Sequence, residues 1–394
     1  MNLNPLDPKN IGARLLTDRG IKKAIELDLI KITPEISENQ IQPASLDLKV
    51  KEFWMDEPYK DIDKYEMGKT MKVKNSSKYD VIYNQIVDIG SSFNFYNYES
   101  SNFYLDFACV AKSSIRRLGC IIPNHRLFFE DNKHSTTNIS NLSPNDIIFK
   151  EDEAISQVLF FVNPWPFDEQ YSVNFQDKPE FENGKKIRSL DMGIKIVEKE
   201  KFNYLYEKEF SSKKELKFQD ESILVHASER AYRLKKIGDV EFSERKKLND
   251  ADILEPVDIS KGYEIKPFEH LIIETEEDFS LSEKIGIFFM DNPVTKVINF
   301  KKGELNEKNK YGYRFNREEA VLNTDLIPSF DGWVDPGYKG GFTRQPKWLT
   351  EGRIVKPGMV VGYGQIFYFP NGVERTYGSK GLGSHYQKKE KMTF

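Results

Sequence analysis

The amino-acid sequence predicts a mainly β fold made of two tandem β-barrel or β-sandwich domains with a few short helices. Segments rich in β-branched and aromatic residues, bounded by turn residues, recur along the chain. A degenerate repeat is also visible, because the strand around Gln157 parallels the strand around Gln365. Each strand follows a turn, at residues 143–146 and 356–359. The repeat indicates two copies of one β domain.

Composition predicts where the two copies meet. Residues 163–166 form the breaker cluster NPWP, and the residues that follow are charged, with many Lys and Glu. We therefore expect an N-terminal β domain at 1–165, a charged connection at 166–220 and a C-terminal β domain at 221–394. Residues 51–80 are polar and lack a sustained period, which predicts an insertion or a long loop.

The N-terminal part predicts a helix followed by a strand. Thr17 and Asp18 form a possible helix cap, and Ile21, Ala24, Ile25 and Leu29 follow at spacings that share one helix face. Thr33-Pro34 then breaks the helix. Residues 40–50 alternate as a strand, and the side chains expected to face one way are Leu46, Leu48 and Val50.

Composition excludes several classes of protein. The chain has 394 residues, of which 39% are hydrophobic and 13% aromatic, enough for compact cores. A net charge of −4 supplies no global positive field for a nucleic-acid backbone. The only two cysteines, Cys109 and Cys120, argue for a reducing compartment. No signal core or membrane-length apolar run is present, so we expect a cytoplasmic protein with no nucleic-acid or membrane partner.

Residues 112–119, KSSIRRLG, form a candidate phosphate-binding motif after an apolar run. Lys112 and Arg117 bring positive charge, and Ser113 and Ser114 bring short hydroxyl donors. This combination suits a polyphosphate. The alternative is an ordinary surface turn, in which a strand end leads into a short basic helix.

Residues 332–340, GWVDPGYKG, form a second candidate motif. The Asp-Pro-Gly sequence predicts a tight turn after a strand that presents Asp335 at its tip, and Tyr338 brings an aromatic face beside it. A plain turn is the alternative.

Residues 375–387 form a third candidate motif near the C-terminus. Lys380 and neighbouring glycines could wrap phosphate oxygens, and Tyr386 could cover a base. Tyr377 and Gln387 lie in the same stretch. The alternative is an unstructured tail.

Together with residues 16–48, these three motifs resemble stretches of the dCTP deaminase and dUTPase family. They occur along the chain in the same order as in that family. The resemblance implies dUTPase-like domains and places Asp47 near the phosphates. It implies that Lys112, Ser113, Ser114 and Arg117 bind phosphates, and that Asp335 contacts the sugar and, in dUTPases, orients water. The other implied substrate-binding residues are Tyr338, Tyr377, Lys380, Tyr386 and Gln387, the last four in a segment that folds over the nucleotide. Related enzymes are trimers, which implies a homo-oligomer.

One position departs from the family pattern. In dCTP deaminases a Glu after the Asp-Pro-Gly turn is the general base, and here the matching residue is Gln345, with Asn138 at the equivalent place in the first half. An amide can hold a base edge but cannot take a proton near neutral pH. Either another acid replaces it, with Glu130 and Asp131 as candidates, or the chain does not deaminate.

The sequence leaves three hypotheses open. The first is deamination of dCTP to dUTP and ammonia, and the second is a dUTPase-type pyrophosphatase that uses Asp335 with Ser113 or Arg117. The third is a nucleotide-binding regulator without catalysis. Zinc chemistry is not expected, because the five scattered histidines and two cysteines lack the zinc-deaminase signature. Mg²⁺ is expected with the triphosphate.

Overall fold

The computed structural model describes residues 3–7, 13–55, 70–74, 78–88, 94–98, 101–122, 128–130, 134–165, 186, 189–266, 269–290, 330–344, 353–380 and 382. Within these residues the chain is mainly β, as the sequence predicts. No helix in this part of the chain is both long enough and apolar enough to cross a membrane.

The elements fall into two halves. The first half contains β1 (Arg14–Leu16), α1 (Asp18–Glu26), β2 (Lys31–Thr33), β3 (Ile41–Gln42), β4 (Ser45–Met55), β5 (Thr70–Val73), β6 (Lys78–Tyr83), β7 (Ile86–Asp88), β8 (Asn94–Tyr98), β9 (Ser101–Ala111), α2 (Ser113–Arg117), β10 (Cys120–Ile121), β11 (Phe128–Glu130), β12 (His134–Asn141), β13 (Asp146–Lys150) and β14 (Ala154–Trp165). The second half contains β15 (Met192–Lys195), α3 (Lys199–Leu205), β16 (Phe210–Ser212), β17 (Phe218–Gln219), β18 (Ser222–Leu234), β19 (Asp239–Glu241), α4 (Asp250–Ile253), β20 (Leu254–Asp258), β21 (Tyr263–Ile265), β22 (Leu271–Leu281), β23 (Ile285–Met290), β24 (Phe330–Val334), β25 (Lys339–Arg344), β26 (Arg353–Val355) and β27 (Val360–Tyr368). Short 3₁₀ turns occur at Glu38–Gln40 and Phe242–Lys247.

The N-terminal helix and strand form where the sequence predicts them. Thr17 is the N-cap of α1, and its hydroxyl accepts a hydrogen bond from the Gly20 N–H at 3.1 Å. Ile21 and Ala24 are fully buried on the inner face of α1. The predicted inward residues of β4, Leu46, Leu48 and Val50, are also fully buried. Asp47 on the opposite face is buried as well, so β4 is covered on both sides.

The two halves share one pattern of strand pairing. In the first half β14 pairs with β9, β4 and β1, all antiparallel. In the second half β27 pairs with β23, β18 and β15 in the same way. The pairings support the repeat that the sequence suggests, while the domain boundaries themselves stay a proposal.

A β-bulge fixes the correspondence between the halves. In the first half the bulge lies in β14, between Ala154 and Ser156, opposite Lys49 of β4. In the second half it lies in β27, after Val360, which pairs with His226 of β18. Counting from the bulge, Gln157 corresponds to Tyr363 and not to Gln365. The strands are therefore equivalent, but their glutamines are not.

The same register also corrects which turns of the two halves are equivalent. Asp152 N–H donates to Val50 O at 3.0 Å, and Gly358 N–H donates to Ala227 O at 2.8 Å. Both turn residues have positive φ, 65° for Asp152 and 78° for Gly358. The counterpart of the turn at 356–359 is therefore the turn around Asp152 and not residues 143–146.

A buried side chain next to the bulge also repeats. Lys49 N–H donates to Gln85 Oε1 at 2.9 Å in the first half, and His226 N–H donates to Glu277 Oε2 at 3.0 Å in the second. Gln85 and Glu277 are 4% and 1% exposed, so each N–H bonds to a buried side chain. In the second half His226 Nδ1 lies 2.7 Å from Glu277 Oε1.

The two halves join through strands and a shared apolar cluster. β1 pairs antiparallel with β15, and β13 pairs in parallel with β19. The ring of Phe161 lies 6.3 Å from that of Phe288 and 6.2 Å from that of Phe367. The cluster also contains Leu15, Val110, Leu159 and Trp333. The junction is therefore part of the folded core.

Two segments differ from the sequence prediction. The described parts of residues 51–80 are the end of β4, β5 and the start of β6, and β5 pairs with β13. Residues 192–219, which the sequence assigns to a charged connection, form β15, α3, β16 and β17 and bury side chains in the second-half core: Ile194, Ile196, Phe202, Leu205, Phe210 and Leu216. Exposed Lys and Glu between these apolar residues explain the charged appearance of the segment.

We predict that Glu277→Ala lowers the free energy of unfolding by roughly 1–3 kcal/mol, because the buried N–H of His226 loses its acceptor. Glu277→Gln is the matched control and should cost much less, since Gln85 accepts the equivalent N–H in the first half. Urea denaturation measures both variants. Equal losses would show that Glu277 does not act through this hydrogen bond.

Candidate functional site

The candidate phosphate motif lies at the junction of β9, α2 and the β14 bulge. Lys112 N–H donates to the carbonyl of the bulged residue Ile155 at 3.0 Å, which fixes the start of α2. In α2, Ser114 and Arg117 are buried and Ser113 is exposed. Gly119 ends the motif with φ 85°, and a Cβ there would lie 2.9 Å from the backbone of Ser143. This turn therefore requires glycine.

Lys112 and Asp47 form an ion pair inside the first half. Lys112 Nζ lies 2.5 Å from Asp47 Oδ2, and the side chains are 26% and 9% exposed. Burial raises the pKa of the Asp47 carboxyl, and Lys112 opposes that rise. Asp47 Oδ1 is buried and accepts no hydrogen bond from any described residue. In the second half Leu224 stands at the corresponding position, since it pairs with Tyr363 as Asp47 pairs with Gln157.

The Asp-Pro-Gly motif forms the predicted turn after β24. Gly337 has φ 87°, and its N–H donates to Ser282 O at 2.9 Å. Trp333 Nε1–H donates to Asp335 Oδ1 at 2.7 Å. Burial raises the pKa of Asp335 to about 7; the Trp333 hydrogen bond opposes this shift, the charge of Asp47 adds to it and Lys112 opposes it. Asp335 therefore shares one electrostatic environment with the first-half ion pair.

Packing between the halves brings these motifs together. β24 lies against β9 and α2, so the strand that carries Asp335 contacts the elements that carry the phosphate motif. Trp333 and Val110 belong to the same apolar cluster. The candidate site therefore combines elements from both halves of the chain.

The segment after β27 crosses from one half to the other beside Asp335. Asp18, in the first turn of α1, accepts the N–H groups of Glu374 and Arg375, each at 3.1 Å. Tyr377 N–H donates to Pro336 O at 2.8 Å. Asp18 also contributes to the raised pKa of Asp335. This segment, residues 371–380, therefore connects the start of α1 to the Asp-Pro-Gly turn.

The aromatic residues predicted to cover a ligand differ in exposure. Tyr338 is 6% exposed, belongs to the second-half core and donates its hydroxyl to Gly341 O. Its ring meets the ring of Tyr377 at 5.3 Å in an edge-on arrangement, and Tyr377 is half-buried. Tyr338 therefore packs against the ring of Tyr377 from the side of the core. Lys380 is exposed.

Several predicted residues lie outside the part that the structure describes: Gln345, Tyr386, Gln387 and Asp131. Glu130 is in β11, where only its backbone is described. Asn138 is in β12 and donates a side-chain hydrogen bond to Asp80. The register agrees with the sequence alignment of Asn138 with Gln345. Thr137 pairs with Val81 in the first half, and Arg344 pairs with Ile273 in the second. Thr137 is therefore the counterpart of Arg344, and Asn138 is the next residue after that counterpart.

Sequence reasoning missed the roles of two residues. The sequence predicts Asp18 only as part of a helix cap and marks Trp333 only as a member of a motif. A carboxylate in a first helical turn normally serves its own helix, so its bonds to residues near the C-terminus have no local signal. Trp333 and Asp335 are two residues apart at the end of β24, a spacing that does place them on one face when the chain is extended.

We predict that Lys112→Met destabilises the fold by on the order of 3 kcal/mol at neutral pH, because a buried carboxylate loses its cation. Burial already raises the Asp47 pKa above its ordinary value of 3.8, and loss of Lys112 raises it further. Protonated Asp47 is tolerated, so the loss should be small near pH 4 and should grow toward neutral pH. Denaturant titrations across this range measure it. The double variant with Asp47→Asn should recover most of the loss, and a pH-independent loss would contradict the ion pair.

Comparisons with known proteins agree with this fold. No family model matches the chain. Proteins named "dCTP deaminase, dUMP-forming" from three strains of Bifidobacterium longum are 38% identical over 63 residues, which is 16% of this chain. The match spans 33% of the length of those relatives. A crystal structure of 2′-deoxycytidine 5′-triphosphate deaminase from Agrobacterium tumefaciens superposes with a TM-score of 0.61 and 13% identity, covering 92% of this chain and 100% of that one. In fold, and over a short stretch of sequence, the chain resembles dCTP deaminases.

Proposed function

We propose that the chain is a dCTP deaminase-type hydrolase that acts on a pyrimidine deoxynucleoside triphosphate at the site between its halves. One observation carries the proposal: the phosphate motif of the first half and Asp335 of the second half lie in one electrostatic environment within a single chain. The name of the structural neighbour supports this substrate class. The proposed reaction converts dCTP and water to dUTP and ammonia.

The phosphate end of the substrate is assigned to the first half. Lys112 and Arg117 supply charge, and the hydroxyls of Ser113 and Ser114 supply short donors. Charge-assisted hydrogen bonds to phosphate are about twice as strong as neutral ones. The ion pair with Asp47 holds the Lys112 ammonium in place, and the next residue, Ser113, is exposed.

The sugar and base are assigned to the second half. Asp335 accepts a hydrogen bond from the deoxyribose 3′-hydroxyl, with Tyr377 over it and Tyr338 supporting that ring. Gln345 holds the edge of the base. Lys380, at the end of residues 371–380, and the later residues Tyr386 and Gln387 are assigned to the segment that covers the nucleotide.

Deamination requires a proton acceptor. The water oxygen bonds to C4 of cytosine, one water proton goes to N3 and the other to the amino group, and the C4–N bond breaks to release ammonia. Gln345 cannot carry a proton, so an acid must do so. Glu130 and Asp131 are the candidates from the first half.

A second candidate function is a dUTPase-type pyrophosphatase. Gln345 favours it, because attack of water on the α-phosphorus needs no Glu at that position. A carboxylate with a pKa of about 7, as in Asp335, can accept a proton from water at neutral pH. The relatives named as dUMP-forming also favour a step that releases pyrophosphate. A regulator that binds nucleotide without catalysis is the remaining alternative.

The partners and cofactor are proposals as well. Mg²⁺ would arrive on the triphosphate; in the described part of the chain no three His, Cys, Asp or Glu side chains group to hold a metal, so phosphate oxygens would supply most of its ligands. We also propose a cytoplasmic location and a homo-oligomer, which stay predictions from the sequence.

Incubation with dCTP and with dUTP, followed by analysis of ammonia, pyrophosphate and nucleotide products, tests the proposal. Ammonia from dCTP supports the deaminase, and pyrophosphate from dUTP supports the second candidate. Gln345→Glu should raise deamination roughly 10²–10⁴-fold, because a carboxylate there can transfer protons.

The control for this gain is Asn138→Glu, the corresponding change in the first half, which lacks an Asp-Pro-Gly turn. It should leave deamination unchanged. If the wild type releases neither product and Gln345→Glu gains nothing, the chain is not a hydrolase of this class.

We predict that Arg117→Ala weakens binding of the triphosphate roughly 10- to 100-fold and leaves binding of the nucleoside nearly unchanged, because a guanidinium–phosphate contact is lost. Calorimetric titration with dCTP, dUTP and their nucleosides measures this difference. Arg117→Lys keeps the charge and should lose less, and Arg230→Ala, on an exposed arginine paired with Glu274, is the surface control. Equal weakening for triphosphate and nucleoside would give Arg117 a structural role.

A further inference from the structure

Trp333 and Asp335 form a hydrogen bond that the proposed function does not use. The two side chains lie on the same face at the end of β24, and Trp333 Nε1–H donates to Asp335 Oδ1 at 2.7 Å. Among the described residues, none donates a hydrogen bond to the other oxygen, Oδ2. One carboxylate oxygen is therefore held by the protein, and the other is available.

The indole ring is fixed by packing at the junction of the halves. Trp333 is 7% exposed, and its ring meets Phe367 edge-on at 6.0 Å and Phe369 at 6.3 Å. A Cβ at Gly286 would lie 2.2 Å from the indole, so the backbone there closes directly on the ring. A Trp side chain has two torsions, and packing on these sides fixes both. The direction of the N–H is therefore set by the apolar core.

We propose that Trp333 is a positioning residue for Asp335, which binds Oδ1 so that Oδ2 faces the ligand. The ligand part of this inference rests on the proposed function, and the hydrogen bond itself does not. Packing between the halves would in this way set the orientation of a side chain that binds nucleotide.

The charged groups around Asp335 determine how this hydrogen bond responds to pH. Asp47 on β4 and Asp18 on α1 raise the Asp335 pKa together with burial, while Trp333 and Lys112 lower it. The net pKa is about 7. Loss of the indole donor must raise it further, so ionised Asp335 would appear only at higher pH.

The indole N–H gives a direct readout. The chain has four tryptophans, so ¹H–¹⁵N spectra of the full chain contain four indole signals, and Trp333→Phe identifies the signal of Trp333. We expect that signal to shift with pH with a midpoint near 7, and the shift to disappear in Asp335→Asn. A Trp333 signal that does not change between about pH 5 and 9 overturns the proposal.

Nucleotide-binding experiments compare loss of the Trp333 N–H donor with loss of packing around its ring. Replacement of Trp333 by 3-benzothienylalanine keeps the ring shape and removes the N–H. The pH midpoint for binding dCTP or dUTP should then rise by roughly one unit. Phe369→Leu disturbs the ring's neighbour and keeps the donor, so it should leave the midpoint in place. An equal rise in both variants overturns the proposal.

The two arms separate the proposals. The indole titration needs no nucleotide. If the indole signal titrates and neither nucleotide binds, the hydrogen bond stands, while the nucleotide-positioning proposal and the proposed function both fail. If nucleotide binds but the indole signal does not titrate, the proposed function stands and the role of Trp333 is wrong.

Discussion

The buried ion pair between Asp47 and Lys112 is the interaction on which the candidate site depends. A carboxylate on a strand covered on both faces needs a cation, and the only cation that contacts Asp47 among the described residues is Lys112. Lys112 is itself fixed by the carbonyl of the bulged residue Ile155. The bulge, the ion pair and the start of α2 are therefore linked by direct contacts, and these contacts set the position of the phosphate motif.

Local patterns predict several elements in both halves. The Thr17 cap, the inward face of β4, the start of α2 and the Asp-Pro-Gly turn all follow from residues close together in sequence. The register of the repeat does not, because a bulge adds a residue without leaving a composition signal, and matching Gln157 to Gln365 is therefore wrong. Residues 192–219 are also beyond a composition argument, since many Lys and Glu residues lie between their apolar side chains.

Contacts between distant parts of the chain are the other limit. The bonds from Asp18 to Glu374 and Arg375 join the start of the first helix to the segment after the last strand. Nothing local to Asp18 distinguishes these partners from its own helix. Likewise the effect of Asp47 on Asp335 depends on how the halves pack, and only a few residues of the junction cluster, such as Phe161 and Phe367, come from strands that the sequence marks as paired copies.

The composite site has a consequence for how the protein behaves on dilution. A site assembled from separate subunits follows mass action and is lost when the subunits dissociate. In the candidate site, the half with the phosphate motif and the half with Asp335 are tethered by the backbone, so the effective concentration of one half at the other is set by the covalent connection. Tethering also removes the requirement that both copies keep every part: Leu224 can replace a carboxylate in one half as long as Asp47 remains in the other. Covalent linkage thus converts a symmetric repeat into two specialised partners.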